Sequence, residues 1–317
     1  MTLHPQAEAY LAQMAAAALP PTWEVGAPAA RERARAGLGL VPPGPELTRV
    51  EDWSVAGSAG EIPVRVYWPS AETGLPILMW FHGGGWVLGS VDATDPLCRR
   101  LADRSGAIVV SVEYRMAPED PAPASSDDCY AVTEWASEHA SELGGDASRL
   151  AVGGASAGGN LAAAVALQAR DASGPAIAHQ LLFYPVTDSR METASYAARA
   201  EGFGLSREAM EWFWDCYVPA GGAVSREDVR VSPAHAADLS GLPSAQVLTA
   251  EYDPLCDEGE VYGARLAAAG VEVRVERLAG HLHGFANNAH LFDAAEQSIT
   301  DASEELRRVM VAVASPE

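Results

Sequence analysis

From Val50 onward, short apolar runs alternate with longer segments of helical spacing, and this alternation limits the possible folds more than any other feature of the chain. Residues 64–68, 77–81, 108–112, 150–152, 180–184, 246–250 and 271–275 are apolar and rich in β-branched or aromatic side chains, so they read as strands. Residues 97–105, 125–143, 160–171, 259–269 and 291–313 are long enough for helices and lie between or after those strands. Parallel neighbours need crossovers of this length. The expected fold class is therefore α/β, a mostly parallel central sheet with helices on both faces. Chemistry in such sheets gathers beyond the carboxyl ends of the strands.

Two stretches fall outside the alternation. Residues 1–45 hold a helical segment marked by Tyr10, Leu11, Met14 and Leu19, a Pro20-Pro21 break, a second helical stretch around Arg31 to Ala36, and Pro42-Pro43. They read as an appendage to a main domain over 46–317. The segment from Pro185 to Val224 carries Tyr196, Phe203, Met210, Trp212, Phe213, Trp214 and Tyr217. Each aromatic alone reads as core, but an insertion between two strands also has the position of a lid.

Composition narrows the function classes. The 317 residues carry a formal net charge of −22, and so acidic a surface repels phosphate backbones and anionic lipid. Nucleic acid and membrane insertion are therefore not expected. All 21 basic residues are arginine, which removes lysine Schiff bases, Ser-Lys dyads and the P-loop lysine together. Cys98, Cys129, Cys216 and Cys256 are scattered with no CxxC pair, so neither a metal site nor a disulfide framework is expected. The alanine-rich stretch from Leu11 to Leu19 is too short to span a bilayer, and the first basic residue is Arg31, so no signal-peptide n-region precedes it. The expected compartment is the cytoplasm.

The chemistry starts from Gly154-Ala-Ser156-Ala-Gly158, a G-x-S-x-G pattern. In a chain with 29 glycines the bare pattern is weak, but a short strand precedes it and a helix follows. That strand-to-helix turn exposes a serine oxygen, which makes Ser156 the candidate nucleophile. Its proton needs a base, and without lysine the base is a histidine or a carboxylate. In folds with this turn the partners follow in the order serine, acid, histidine. Downstream, only His281 and His283 in Gly280-His-Leu-His-Gly-Phe285 directly follow a strand. Asp253, at the end of the preceding strand, is the candidate acid, with Glu251, Asp257 and Glu258 as rivals; a helix-capping role for Asp253 is the alternative.

The run from Ile77 to Phe81 ends in His82-Gly-Gly-Gly-Trp86. Attack on a carbonyl places negative charge on its oxygen, and that charge needs N–H donors facing open space. Gly83, Gly84 and Gly85 leave room for a substrate beside bare amides, so they are the candidate oxyanion loop. A glycine turn packed against a neighbour is the alternative.

The chain resembles the hormone-sensitive-lipase-like family of α/β hydrolases. The resemblance rests on His82-Gly-Gly-Gly-Trp86, Tyr114-Arg-Met-Ala-Pro-Glu-Asp-Pro-Ala-Pro123 with Asp127-Asp128, Gly154-Ala-Ser-Ala-Gly-Gly-Asn160, Asp253-Pro-Leu-Cys-Asp-Glu-Gly259 and His283-Gly-Phe285. It implies an α/β-hydrolase fold with Ser156 as nucleophile, Asp253 as acid and His283 as base. It further implies an oxyanion hole from Ala157 and two of Gly83, Gly84 and Gly85, structural roles for His82 and Asn160, and a pocket bordered by Trp86. Residues 1–45 and an insertion at about 186–224 are expected to form a helical cap. Three positions depart from the family: Ala155 stands where an acidic residue is common, Cys256 where an arginine is usual, and His281 adds a second imidazole.

The resemblance implies a carboxylesterase that cleaves short- to medium-chain acyl esters through an acyl-enzyme, without metal or cofactor. Its partner is a small-molecule ester, and a homodimer is compatible with the family. Amide or carbamate cleavage on the same three residues is the alternative within enzymes. A non-catalytic small-molecule receptor of the same fold is the alternative outside them, although receptors of that branch have lost the histidine that this chain keeps.

Overall fold

A computed structural model describes residues 2–314. Two helices come first, α1 (Pro5–Ala17) and α2 (Thr22–Gly37). The strands are β1 (Arg49–Gly57), β2 (Gly60–Trp68), β3 (Leu75–Phe81), β4 (Ile108–Val112), β5 (Gly145–Ala155), β6 (Ile177–Phe183), β7 (Ser244–Tyr252) and β8 (Val273–Leu282). Helix α3 (Val91–Ser105) joins β3 to β4, and α4 (Ala124–Glu138) with α5 (Ala140–Leu143) joins β4 to β5. Then come α6 (Ala157–Asp171), α7 (Ala194–Ala198), α8 (Arg207–Tyr217), α9 (Cys256–Ala268) and α10 (Asp293–Ala314).

All eight strands form one sheet in the order β1-β2-β4-β3-β5-β6-β7-β8. The pairs β1·β2 and β2·β4 are antiparallel, and every pair from β4 to β8 is parallel. The central strands are apolar on both faces because both faces are covered. In β3, Ile77, Met79 and Phe81 enter the core on one side with α4 and α6, while Leu78 and Trp80 enter the other with α3 and α10. That is the two-residue period of a strand acting on a continuous apolar run.

Several boundaries differ from the sequence reading, most of all at β8, which runs to Leu282, seven residues past the expected end at Val275, so that His281 lies within the strand; three further differences have local causes. Strand β1 was not among the expected strands; it is an edge strand that buries little except Val55, so it carries almost no hydrophobic alternation. Helix α3 starts six residues before the expected Leu97, at Val91, because the Ser90 hydroxyl accepts from the Ala93 N–H at 3.1 Å and Pro96 is tolerated within the helix. The expected helix over 125–143 is two pieces, broken at His139, whose φ −106° and ψ 19° lie outside the helical region.

The segments outside the alternation pack on the sheet's carboxyl edge and on each other. Helix α1 lies against β8, and α2 lies against α8. The side chains of Met210, Phe213, Trp214 and Tyr217 from α8 join the same core as Phe81 and Val152. Among the described residues, no helix is long and apolar enough to cross a membrane.

Candidate active site

Four candidate residues occupy one structural position, the first residue beyond the end of a strand. His82 follows β3, Ser156 follows β5, Asp253 follows β7 and His283 follows β8. Because the strands are parallel, these positions line up along one edge of the sheet. Tyr184 follows β6, between the strands of the serine and the acid, and packs edge-on against the His283 ring at 4.7 Å.

Ser156 turns the chain from β5 into α6 at φ 58° and ψ −117°, a strained backbone that persists only where the surroundings enforce it. Glycines provide the necessary closeness. A Cβ on Gly154 would strike Gly158, and one on Gly158 would strike the Phe81 carbonyl. Hydrogen bonds then fix the turn: the Ser156 N–H donates to the Phe183 carbonyl at 2.9 Å, and the Ser156 carbonyl accepts from Asn160 at 3.0 Å and Val186 at 3.3 Å. The buried Asn160 amide donates to the Val186 and Val231 carbonyls at 3.0 and 2.8 Å, tying the turn to the segments around it.

The His283 Nε2 stands 2.9 Å from the Ser156 hydroxyl, and its Nδ1 stands 2.6 Å from Asp253 Oδ2. Asp253 is wholly buried, and its other oxygen accepts from the Leu255 N–H at 2.9 Å. A buried carboxylate with both oxygens engaged holds one orientation, so it also holds the imidazole. Asp253 thus binds the histidine and closes the turn that leads into α9, but it does not cap that helix, whose N-cap is Leu255 with no side-chain bond.

The rival groups are occupied elsewhere. Glu251 accepts from the Gly280 N–H, and Asp257 accepts from the Ser195 N–H. Glu258 is buried and accepts from the Thr187 and Asp188 N–H groups at 2.6 and 3.3 Å; burial pushes its carboxyl well above the usual range. His281 faces away from the serine, 4.7 Å from the His4 ring and edge-on to Phe292, with its Nδ1 on the Ala279 carbonyl. Burial lowers its pKa.

The glycine loop is built by fixing three carbonyls. In a trans peptide the N–H points opposite the carbonyl it is bonded to, so holding one orients the other. The Tyr114 hydroxyl donates to the His82 carbonyl at 2.7 Å, which sets the Gly83 N–H. The His82 Nδ1–H donates to the Gly83 carbonyl at 2.9 Å, which sets the Gly84 N–H. Val87 and Leu88 donate to the Gly84 carbonyl at 3.2 and 2.8 Å, which sets the Gly85 N–H. Burial lowers the pKa of His82, keeping it neutral and stacked on Tyr114 at 4.2 Å.

Each glycine is also spatially required. A Cβ on Gly83 would lie 2.8 Å from the Ala155 carbonyl, one on Gly84 would strike Leu88, and one on Gly85 would strike the Phe213 ring. Ala157, as the first residue of α6, has an N–H with no acceptor inside the helix. Trp86 is fully buried under α8, stacked flat on Tyr217 at 4.2 Å and 4.6 Å from Trp214. Cys256 is buried beside Glu260, its thiol pushed up to about 12 by burial, and Arg277 from β8 supplies the guanidinium that pairs with Glu260.

Sequence reasoning passed over Tyr184, whose signal was its place at the end of a predicted strand, and Tyr114, which it used only as part of a motif.

A family model described as the alpha/beta hydrolase fold matches residues 78–287. The chain belongs to the α/β hydrolase family. Within that family it resembles the hormone-sensitive-lipase-like carboxylesterases along most of its length. It is 43% identical over 287 residues to the carboxylesterase NlhH of Mycobacterium tuberculosis, spanning 88% of this chain and 89% of that one. The esterase LipI of the same organism is 41% identical over 290 residues, spanning 90% of this α/β hydrolase and 89% of the relative. Among solved structures, the ester hydrolase EH1AB1 from the metagenome of Lake Arreo superposes with a TM-score of 0.93 at 40% identity, over 97% of this chain and 99% of that one.

Proposed function

We propose that this α/β hydrolase cleaves carboxylic esters through an acyl-enzyme on Ser156. The chain is a serine ester hydrolase in family and fold, and the single observation that supports the residue roles is the unbroken line from Asp253 through His283 to the Ser156 hydroxyl. In the first step His283 Nε2 takes the hydroxyl proton as the serine oxygen attacks the ester carbonyl, and the imidazolium is balanced by Asp253. The proton then passes from Nε2 to the departing alkoxide, leaving the acyl group on Ser156. Water enters, gives its proton to Nε2 and attacks the acyl carbonyl; the proton returns to the serine oxygen as the acid leaves.

The N–H groups of Ala157 and two of Gly83, Gly84 and Gly85 receive the negative charge in both halves of the reaction, with Gly83 and Gly84 our first choice. Helices α1 and α2 and the 186–224 segment form the cap, and Trp86 supports the pocket wall from beneath α8. Short- to medium-chain acyl groups are the proposed substrates, as the resemblance to the hormone-sensitive-lipase-like family implies. Four unbridged cysteines suit a reducing, cytoplasmic setting.

The test is hydrolysis of p-nitrophenyl esters from acetate to palmitate. Wild type turns over the short members, Ser156→Ala and His283→Ala lose at least about 10⁴-fold in kcat, and His281→Ala keeps its rate. Full activity in Ser156→Ala, or a silent His281→Ala beside an active His283→Ala, overturns the assignment.

A further inference from the structure

Arg31 lies on α2, far in sequence from the glycine loop, yet its guanidinium ends on that loop. Its Nε donates to the Val87 carbonyl at 2.7 Å, and one terminal nitrogen donates to the Ala117 carbonyl at 2.7 Å. Both terminal nitrogens also meet the Glu119 carboxylate, at 2.9 and 2.8 Å. The side chain is only 18% exposed, while Glu119 is half exposed. The two carbonyl bonds are therefore the sheltered part of the contact, and the ion pair is its wet rim.

Those carbonyls belong to two strands of a zipper. The Ala117 N–H donates to the Trp86 carbonyl at 3.0 Å, so the loop of residues 83–89 and the loop after β4 already touch. Arg31 closes them from outside. Fixing the Val87 carbonyl fixes the peptide that carries the Leu88 N–H, and that N–H holds the Gly84 carbonyl. The chain of constraint ends at the peptide joining Gly84 to Gly85, where it sets the Gly85 N–H and holds the Gly84 α-carbon, whose own N–H is one of the two first-choice donors. Of the three peptide planes in the glycine loop, the first two are set from within the sheet domain by Tyr114 and His82; the third is anchored, through Val87, by a residue of the amino-terminal helices.

We propose that Arg31 is a positioning residue for the oxyanion loop, so that α2 completes the catalytic geometry as well as covering it. The inference rests on the oxyanion reading above. Two flat, rigid donor groups on one planar fork suit two carbonyls; a lysine ammonium, flexible and compact, can serve one of them. Displacing an oxyanion donor by about 1 Å is enough to cost on the order of 100-fold in rate.

The experiment compares wild type, Arg31→Met, Arg31→Lys and Arg33→Met, all at a temperature where circular dichroism shows them folded. Arg33 binds the Pro20 carbonyl and the Thr22 hydroxyl inside the amino-terminal segment, so its variant loosens that segment without touching the loop. With p-nitrophenyl butyrate, Arg31→Met is expected to lose about 10- to 100-fold in kcat with KM within about threefold of wild type. Arg31→Lys falls between, and Arg33→Met keeps the wild-type kcat. Inhibition by butylboronic acid, which forms a tetrahedral adduct on the serine, weakens in Arg31→Met by the same factor as kcat.

Full kcat in Arg31→Met overturns the inference, as does a rise in KM alone or an equal loss in Arg33→Met. A wild type inert toward the ester overturns the hydrolase reading and this inference with it, which separates that failure from a failure of Arg31 alone.

Discussion

The sheet and the helices above it solve the same problem by different means. In the sheet, the proposed catalytic groups are placed by register: Ser156, Asp253 and His283 each follow the last residue of a parallel strand, so pairing of β5 to β8 already brings them to one edge. Above the sheet nothing is placed by register. Helix α8 is held by aromatic stacking of Trp86 on Tyr217 and by Phe213 seated on Gly85, while α2 is held by the Arg31 fork. A position set by many backbone hydrogen bonds is hard to shift with one substitution. A position set by one ring or one guanidinium is not, so the two regions are expected to respond to mutation in different currencies, rate for the strand ends and rate together with stability for the contacts between the layers.

The sharpest test of the contrast is Asp253→Asn. The side chain keeps its shape and its bond from Leu255, so the fold is retained, but the imidazole loses its balancing charge and its fixed tautomer; kcat falls by about 10⁴-fold while the melting temperature moves little. Thermal denaturation alongside steady-state kinetics checks both halves, and a large loss of stability breaks the idea that the strand ends are held by the sheet alone.

Glu258 tests the opposite case, a buried group that serves stability. Its oxygen accepts two backbone N–H bonds, and burial favours its neutral form. Glu258→Gln keeps an acceptor and costs less than about 1 kcal/mol, whereas Glu258→Ala leaves two buried donors unpaired and costs about 3 kcal/mol in urea unfolding. Equal losses in the two variants contradict the neutral-acceptor reading.

Gly85→Ala probes the boundary itself. The new methyl group meets the Phe213 ring and sits at φ 61°, so α8 must shift or the loop must; ester turnover drops about 10- to 100-fold. The double variant Gly85→Ala with Phe213→Ala recovers part of the loss if the ring is the obstacle and none if backbone strain is.

The smallest effect is a pH dependence of stability. Burial of His179 between β6 and β7 lowers its pKa to about 4. An unfolded chain therefore takes up the proton first as the pH falls below about 6.5, so the contribution is complete above that pH and is lost between about 6.5 and 4. From pH 7 to pH 5 the loss is about 1–2 kcal/mol, and His179→Gln removes this part of the slope. An unchanged slope in the variant rejects the assignment.

How far the sequence could be read follows the same division. The expected strands at 77–81 and 108–112 fall inside β3 and β4, and 180–184 overlaps β6 up to Phe183, because a strand buried on both faces must be apolar throughout, and that is visible in one dimension. Strand β1 was missed because an exposed edge needs no such pattern. Ser156, Asp253 and His283 could be nominated because each is tied to a strand end, and the motif order supplied the rest. Choosing between His281 and His283 needed the resemblance, since the two are two residues apart and the sequence does not show that β8 runs to Leu282, which leaves His281 in the strand and His283 just beyond it. Arg31 had no local signal at all. It is one of 21 arginines on a segment without a motif, and only the folded chain brings its fork to the Val87 carbonyl.

The packing of α8 also has an optical consequence. Trp86 and Trp214 lie 4.6 Å apart at an interplanar angle of 49°, close and skewed enough for their near-ultraviolet transitions to couple. One indole belongs to the glycine loop and the other to the helix above it, so the resulting circular-dichroism couplet reports their separation directly. A solution spectrum of the intact protein, read against that of Trp214→Phe to subtract the second close pair, Trp53 and Trp68 at 5.5 Å in β1 and β2, can therefore follow the layers moving apart with no label and no substrate.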